Sequence, residues 1–207
     1  MNLTLRFSKP ILVVSVLLIH SWLMAGDFAN SRFNHRIVSF NPGYTFTGSG
    51  DSWGVSNEFT HFKSITSWLF HKESIEGWLI NGRSWHDNGF ENQTGVNIGV
   101  DVGIVPFKSG ERIFYLAGGG ILAYFSNIAP NLSFHYPITH NGVTKTLSLI
   151  HYGAENYITP GFALSAGYIT KVNDKIYLNI RAQVEVYNAG ETISTLSVGI
   201  GLNALKK

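Results

Sequence analysis

The sequence predicts an all-β protein, an eight-stranded antiparallel up-and-down transmembrane β-barrel. Three observations lead to this fold class: apolar and polar residues alternate with period two, the connections between these segments alternate between short and long, and charge is scarce. Charged residues make up 14% of the 207 residues and aromatic residues another 14%, whereas soluble domains carry about 25% charged residues. Part of the surface is therefore expected to face something other than water.

Residues 1–26 are predicted to be a signal peptide, and residues 27–207 the barrel domain. Arg6 and Lys9 precede an apolar run over residues 11–24, and small residues follow it, which is the order found in a cleavable secretory signal. A membrane anchor at the N-terminus is the alternative interpretation. The run is shorter than the roughly 20 residues that a membrane-spanning helix needs, which favours the signal.

Five segments alternate clearly between apolar and polar side chains. In residues 175–188 the even positions from Ile176 to Val186 are apolar, while the odd positions include Arg181 and Glu185. A helix would scatter the apolar residues around its circumference, so the pattern predicts a strand. The same reasoning predicts strands over residues 36–47, 96–105, 157–170 and 196–203.

Three less regular segments complete a set of eight strands. They cover residues 53–70, 74–85 and 112–125. In an outer-membrane barrel, short periplasmic turns alternate with longer outer connections. The predicted inner turns are 71–73, 108–111 and 171–174, and the predicted outer connections are 48–52, 86–94, 126–156 and 189–191.

The composition of the less apolar strand face indicates whether that face points into the barrel or outward. This face is rich in Gly, Ser, Asn and Thr and contains few of the Lys and Glu residues that coat a solvated surface, so it suits a narrow polar interior. Aromatic residues also lie towards strand ends, where membrane interfaces would place them. A secreted or periplasmic soluble barrel that holds an apolar ligand is the main alternative, because alternation alone fits both orientations.

The strand pattern resembles that of the small eight-stranded outer-membrane barrels of the OmpA, OmpX and OmpW kind. The resemblance covers residues 36–205 and includes the pairs Gly43-Tyr44 and Gly167-Tyr168. It implies a protein of the cell outer membrane that contacts outer-membrane lipids. The group also contains lipid-modifying enzymes, so the resemblance leaves a lipid-modifying barrel enzyme as a further alternative.

Three charged residues are candidates for a polar network in the lumen. Asp101 and Arg181 lie near the middle of their predicted strands, and Glu185 lies four residues after Arg181 on the same strand face. Unpaired charges inside a narrow barrel would be costly, so we expect Asp101 and Arg181 to meet across the interior together with Glu185. This predicts a lumen plugged by polar side chains, with a small-molecule channel as the alternative.

The sequence gives no support to catalysis, and we expect no enzymatic activity and no cofactor. A deacylase-like barrel site would need His-x-Ser on one strand face, and no histidine in the predicted barrel has it. The nearest set is Ser148, His151 and Glu155, whose spacing does not place Ser and His on the same face. No two histidines stand at the spacing that would aim both at one metal ion, so no metal site is expected.

The segment 126–156 is the long connection outside the predicted strands. It contains Asn141-Gly142 between two apolar segments, which predicts a hairpin that extends beyond the membrane and is a possible site for an extracellular ligand. Without the signal peptide the chain has 13 basic and 13 acidic residues, so no nucleic acid is expected as a partner. There is no cysteine. The prediction is a monomeric, non-enzymatic barrel with an envelope structural or surface-interaction role.

Overall fold

Eight antiparallel strands close into a barrel in chain order. The computed structural model describes residues 36–48, 52–83, 90–109 and 111–204, so the predicted signal peptide lies outside the described residues. The predicted fold class is confirmed. In the described part of the chain no helix is long and apolar enough to cross a membrane. The strands are β1 Arg36–Thr47, β2 Trp53–Ser64, β3 Leu69–Arg83, β4 Phe90–Ser109, β5 Arg112–His140, β6 Val143–Lys171, β7 Ile176–Tyr187 and β8 Thr192–Asn203.

The register of the strands fixes the width of the barrel. Following the paired residues around the ring from Ile37 leads back to β1 at Thr47, ten residues further along the strand. Eight strands with a shift of this size tilt by roughly 40° from the barrel axis, and they leave an interior just wide enough for side chains. The lumen is therefore a space for packed side chains.

Alternate residues of each strand point outward, and the outward residues are mainly aliphatic or aromatic. On β8, for example, Val198, Ile200 and Leu202 are exposed, whereas Ser197 is buried in the lumen. A soluble barrel places its apolar side chains inside, so this orientation argues against the soluble alternative. It is the orientation predicted for a barrel surrounded by hydrocarbon.

Short turns join the strands at one end of the barrel, which we call the inner end. The turn between β2 and β3 covers residues 65–68, and Thr66 Oγ1 accepts hydrogen bonds from the backbone N–H groups of Trp68 and Leu69 at 3.3 and 3.0 Å. The predicted turn at 71–73 was wrong, because His71 and Glu73 lie within β3. The Thr66 hydroxyl satisfies two backbone N–H groups of the turn at residues 65–68, and this local hydrogen bonding favours a turn there over one at the polar run 71–73.

At the other end, the outer end, β5 and β6 continue far past the remaining strands. Each has 29 residues, and they are joined at Asn141 and Gly142. Both joining residues have positive φ, 51° and 76°, as a two-residue type I′ turn requires. The predicted Asn-Gly hairpin is confirmed, although the structure shows no break between it and the barrel strands.

Candidate functional site

The interior of the barrel has an apolar layer at each end and a polar layer between them. At the inner end the buried cluster is Ile37, Phe62, Phe70, Val105, Ile113, Tyr115, Ala117, Ile169 and Tyr177. At the outer end it is Trp78, Ile80, Ile121, Ala123, Phe125, Ala163, Tyr187 and Ile193. Ring contacts organise both clusters, with centroids of Phe62 and Tyr115 5.4 Å apart and those of Trp78 and Phe125 5.2 Å apart. Charged side chains between these layers are consequently removed from water.

Arg181 lies in the polar layer and reaches across the lumen. It is fully buried, its Nη1 is hydrogen-bonded to Oε2 of Glu58, and its Nη2 lies 3.8 Å from Oε2 of Glu76. Arg181 belongs to β7, whereas the two glutamates belong to β2 and β3. The ion pairs therefore join strands that are not neighbours in the sheet.

Asp101 is also buried in the polar layer, but its basic partner differs from the one we expected. Its Oδ2 lies 2.7 Å from Nζ of Lys72, which also lies 3.7 Å from Oε1 of Glu58. The expected meeting of Asp101 with Arg181 was wrong because the β3–β4 register places Lys72 directly opposite Asp101. Asp101 is connected to Arg181 through Lys72 and Glu58, because Glu58 contacts both Lys72 and Arg181.

Glu185 is held by neutral donors. It accepts hydrogen bonds from Gln183 Nε2 at 2.6 Å, Asn97 Nδ2 at 2.9 Å and Tyr187 Oη at 2.6 Å. Gln183 also donates to Oε2 of Glu76 at 3.1 Å, and this amide connects Glu185 to the ion pairs. Among the described residues, no lysine or arginine lies within ion-pair distance of Glu185.

Sequence reasoning missed three of the six charged residues described in this polar layer, namely Glu58, Lys72 and Glu76. The signal was present on β2, where Ser56, Glu58 and Thr60 point inward and alternate with the outward residues Val55, Asn57 and Phe59. On β3 it was obscured, because Glu73 points outward between Lys72 and Ser74 and both faces carry charge. Four carboxyls thus face two bases: Glu58, Glu76, Asp101 and Glu185 against Lys72 and Arg181.

A second polar cluster lies on the outer surface near the inner end. Glu73 accepts from His61 Nδ1 at 3.0 Å and from His71 Nε2 at 2.9 Å, and Arg36 Nε donates to His61 Nε2 at 2.9 Å. Because arginine can only donate, His61 carries its proton on Nδ1. In the described part of the chain, no group of three His, Cys, Asp or Glu side chains is placed to hold a metal ion.

The nearest catalytic set in the sequence lies on the hairpin end of β6. His151 and Glu155 are both exposed there, and no hydrogen bond connects them. Glu155 therefore does not orient His151 in the way that a carboxylate orients a histidine base next to a nucleophile.

This geometry, with an apolar outer face, buried polar side chains in the lumen and short turns at one end, is that of a small eight-stranded outer-membrane barrel. The sequence matches no protein-family model and no curated protein. Solved structures do match. Neisserial surface protein A, NspA, is 12% identical with a TM-score of 0.56, and the match covers 81% of this chain and 96% of NspA.

Two further barrels match over similar lengths. Ail, the attachment invasion locus protein of Yersinia pestis, is 11% identical over 82% of this chain and 99% of Ail, with a TM-score of 0.46. The N-terminal β-barrel domain of Pseudomonas aeruginosa OprF is 13% identical over 82% of this chain and 98% of that domain, with a TM-score of 0.44. At these identities the likeness concerns the fold. The outer-membrane barrel fold and its apolar outer face point to the cell outer membrane as the location of the protein.

Proposed function

We propose that this protein is a monomeric, non-enzymatic barrel of the outer membrane that acts at the cell surface through its β5–β6 hairpin. The observation that carries the proposal is the length of that hairpin beyond its neighbours. β4 pairs with β5 only as far as Ile128, and β7 pairs with β6 only from Gly161. The twelve residues from 129 to 140 would reach about 40 Å beyond the last β4 pair.

The hairpin is amphipathic. Phe134 and Tyr136 on β5 lie opposite Leu149 and Leu147 on β6, and these four side chains are each about half exposed. The other face carries polar residues such as Thr139 and Thr144, whose hydroxyls are 2.9 Å apart. An exposed apolar row on an extended ribbon is typical of a surface that binds a partner.

The two outer edges of the ribbon favour an extended protein segment as the partner. The β5 edge beyond Ile128 and the β6 edge before Gly161 have no neighbouring strand among the described residues. Open edges present unpaired N–H and C=O groups that accept an added strand, and alternate side chains then provide selectivity.

The test is a cell-attachment assay with hairpin variants. We expect deletion of residues 128–154, or the pair Phe134→Ser and Tyr136→Ser, to reduce attachment of expressing cells to host-cell and protein-coated surfaces. The matched control, Thr144→Ser with Thr146→Ser, changes the opposite face and should attach normally. Unchanged attachment by the deletion variant would remove the proposal.

A second part of the proposal concerns the lumen, which we infer is closed to solutes. The support is the two apolar layers and the ion pairs between them, which occupy a barrel of the width expected for eight strands. Purified protein in a planar bilayer should show no stable conductance steps. Large and stable steps would favour the channel alternative instead.

A further inference from the structure

A polar cavity of about 510 Å³ lies at the outer end of the barrel. Its lining includes Glu91 and Gln93 of β4, Asn127 of β5, and Glu191 in the turn between β7 and β8. None of the charged residues of the lumen lines it. The cavity is therefore a site separate from the ion pairs inside the barrel.

Three oxygen atoms of this lining are buried without a hydrogen-bond partner among the described residues. They are Oε1 of Gln93, Oδ1 of Asn127 and Oε2 of Glu191. Gln93 is only 7% exposed. Buried polar atoms are nearly always satisfied in folded proteins, so three acceptors of the same kind in one cavity call for a common partner.

The orientation of the Asn127 amide follows from its neighbours. Tyr157 Oη donates its single proton to Oε1 of Glu191, so it can only accept from Nδ2 of Asn127, which lies 3.2 Å away. This places the amide nitrogen of Asn127 towards Tyr157. The amide oxygen is left as an acceptor.

The three acceptors also lie close together. Gln93 and Asn127 are direct partners in the β4–β5 ladder, where Cβ atoms are about 4.5–5.5 Å apart. Tyr157 bridges Asn127 and Glu191 through its hydroxyl. One small ligand can therefore contact side chains from two strands and one turn.

We infer that this cavity binds a divalent cation of the calcium class. Amide and carboxylate oxygens are the ligands that hard cations take, and the charge of Glu191, with Glu91 also in the lining, supplies the attraction. The described residues contain no cluster of three His, Cys, Asp or Glu side chains, but this does not argue against the site, because two of its oxygens come from amides.

The geometry favours Ca²⁺ over Mg²⁺. Ca²⁺ accepts six to eight oxygens at about 2.3–2.6 Å in irregular arrangements, whereas Mg²⁺ demands a near-octahedral set. The three protein oxygens belong to separate elements, and the volume leaves room for water molecules to complete the coordination. Few charged ligands imply weak binding, with a Kd of about 10⁻⁴–10⁻³ M as in extracellular calcium modules.

Calcium at this position would tie β4 and the β7–β8 turn to β5 at Asn127, close to where the hairpin leaves the barrel. The site is independent of the proposed surface interaction, since it uses no residue of the apolar hairpin face. Either inference can fail while the other stands.

The experiment is calorimetric titration of the refolded full-length barrel in detergent with CaCl₂, MgCl₂ and spermidine. We expect one Ca²⁺ per chain, at least about tenfold weaker binding of Mg²⁺, and a thermal midpoint that rises with Ca²⁺ concentration. Glu191→Gln should weaken Ca²⁺ binding at least about tenfold. Gln93→Glu should strengthen it, because it adds a charged ligand without removing an oxygen.

The matched control is Glu111→Gln, which removes an exposed carboxylate from the inner end of the barrel, far from the cavity lining. It should change the Ca²⁺ affinity less than about twofold, and a heat-modifiability gel verifies that each variant is folded. Three outcomes would overturn the inference: no saturable Ca²⁺ binding below about 10 mM, ten times the weakest Kd expected; equal losses in Glu111→Gln and Glu191→Gln; or spermidine binding in place of Ca²⁺.

Discussion

Lys72 and Asp101 face each other across the β3–β4 ladder, and their Nζ and Oδ2 atoms are 2.7 Å apart inside the barrel. Both side chains are almost completely buried. A buried ion pair contributes little net stability compared with well-packed apolar side chains, but the loss of one partner leaves an uncompensated charge. The stability of the barrel is therefore expected to depend strongly on which member of the polar layer is removed.

Lys72→Met should lower the free energy of unfolding by about 3–5 kcal/mol, because among the described residues Asp101 loses its only basic partner and Glu58 loses one of two. The double variant Lys72→Met with Asp101→Asn should recover part of the loss. Urea unfolding in detergent micelles, followed by tryptophan fluorescence, measures both. A loss in the double variant equal to the sum of the losses in Lys72→Met and Asp101→Asn measured singly would show that the two residues are not coupled.

Glu185→Gln should cost about 1 kcal/mol or less, whereas Glu58→Gln should cost about 3 kcal/mol or more. The partners of Glu185 are the neutral donors Gln183, Asn97 and Tyr187, and an amide can keep most of these bonds. Glu58 lies against both Lys72 and Arg181. The same unfolding assay ranks the two variants, and the reverse order would contradict this assignment of charges.

Gly119→Ala should destabilise the barrel by about 1–3 kcal/mol through overpacking. A Cβ atom at Gly119 would lie 2.0 Å from the backbone oxygen of Val100 and 2.7 Å from Oδ1 of Asp101. Gly120→Ala is the control, since a Cβ there would meet no atom within 4 Å. Comparable loss in both variants would show that the close approach of β4 does not determine the effect.

Leu164→Lys should destabilise the barrel by about 2–4 kcal/mol in lipid vesicles, as expected for a lysine facing the middle of the hydrocarbon layer. Leu149→Lys on the hairpin should change stability by less than about 0.5 kcal/mol. The two leucines are similarly exposed, at 58% and 52%. Equal effects would indicate that Leu164 does not face lipid.

Strands with one apolar and one polar face could be predicted closely from the sequence. The bounds predicted for the first strand, 36–47, are those of β1, and the alternation in 175–188 gave the correct faces of β7. Period-two alternation suffices where one face meets hydrocarbon and the other meets a polar lumen. The Asn-Gly turn was equally predictable, because positive φ at two successive residues restricts the sequence.

The pairing inside the lumen could not be predicted. Contacts such as Glu58–Arg181 depend on the register of strands that are far apart in the chain, and neither strand encodes the ten-residue shift around the ring. The β2–β3 turn was misplaced for a related reason. His71, Lys72 and Glu73 form a polar run that is typical of a turn, yet they alternate between the two faces of β3.

The Glu58–Arg181 contact connects the second strand with the seventh across the lumen. Such a contact has no counterpart in a partly assembled sheet, whose inner face is still open on one side. Until β8 pairs with β1, Arg181 would face lipid or water without Glu58 and Glu76, whereas residues on neighbouring strands such as Lys72 and Asp101 can already pair. The stabilisation from ion pairs across the lumen is therefore gained only when the barrel closes. It favours the closed ring over any intermediate in which the sheet is still open.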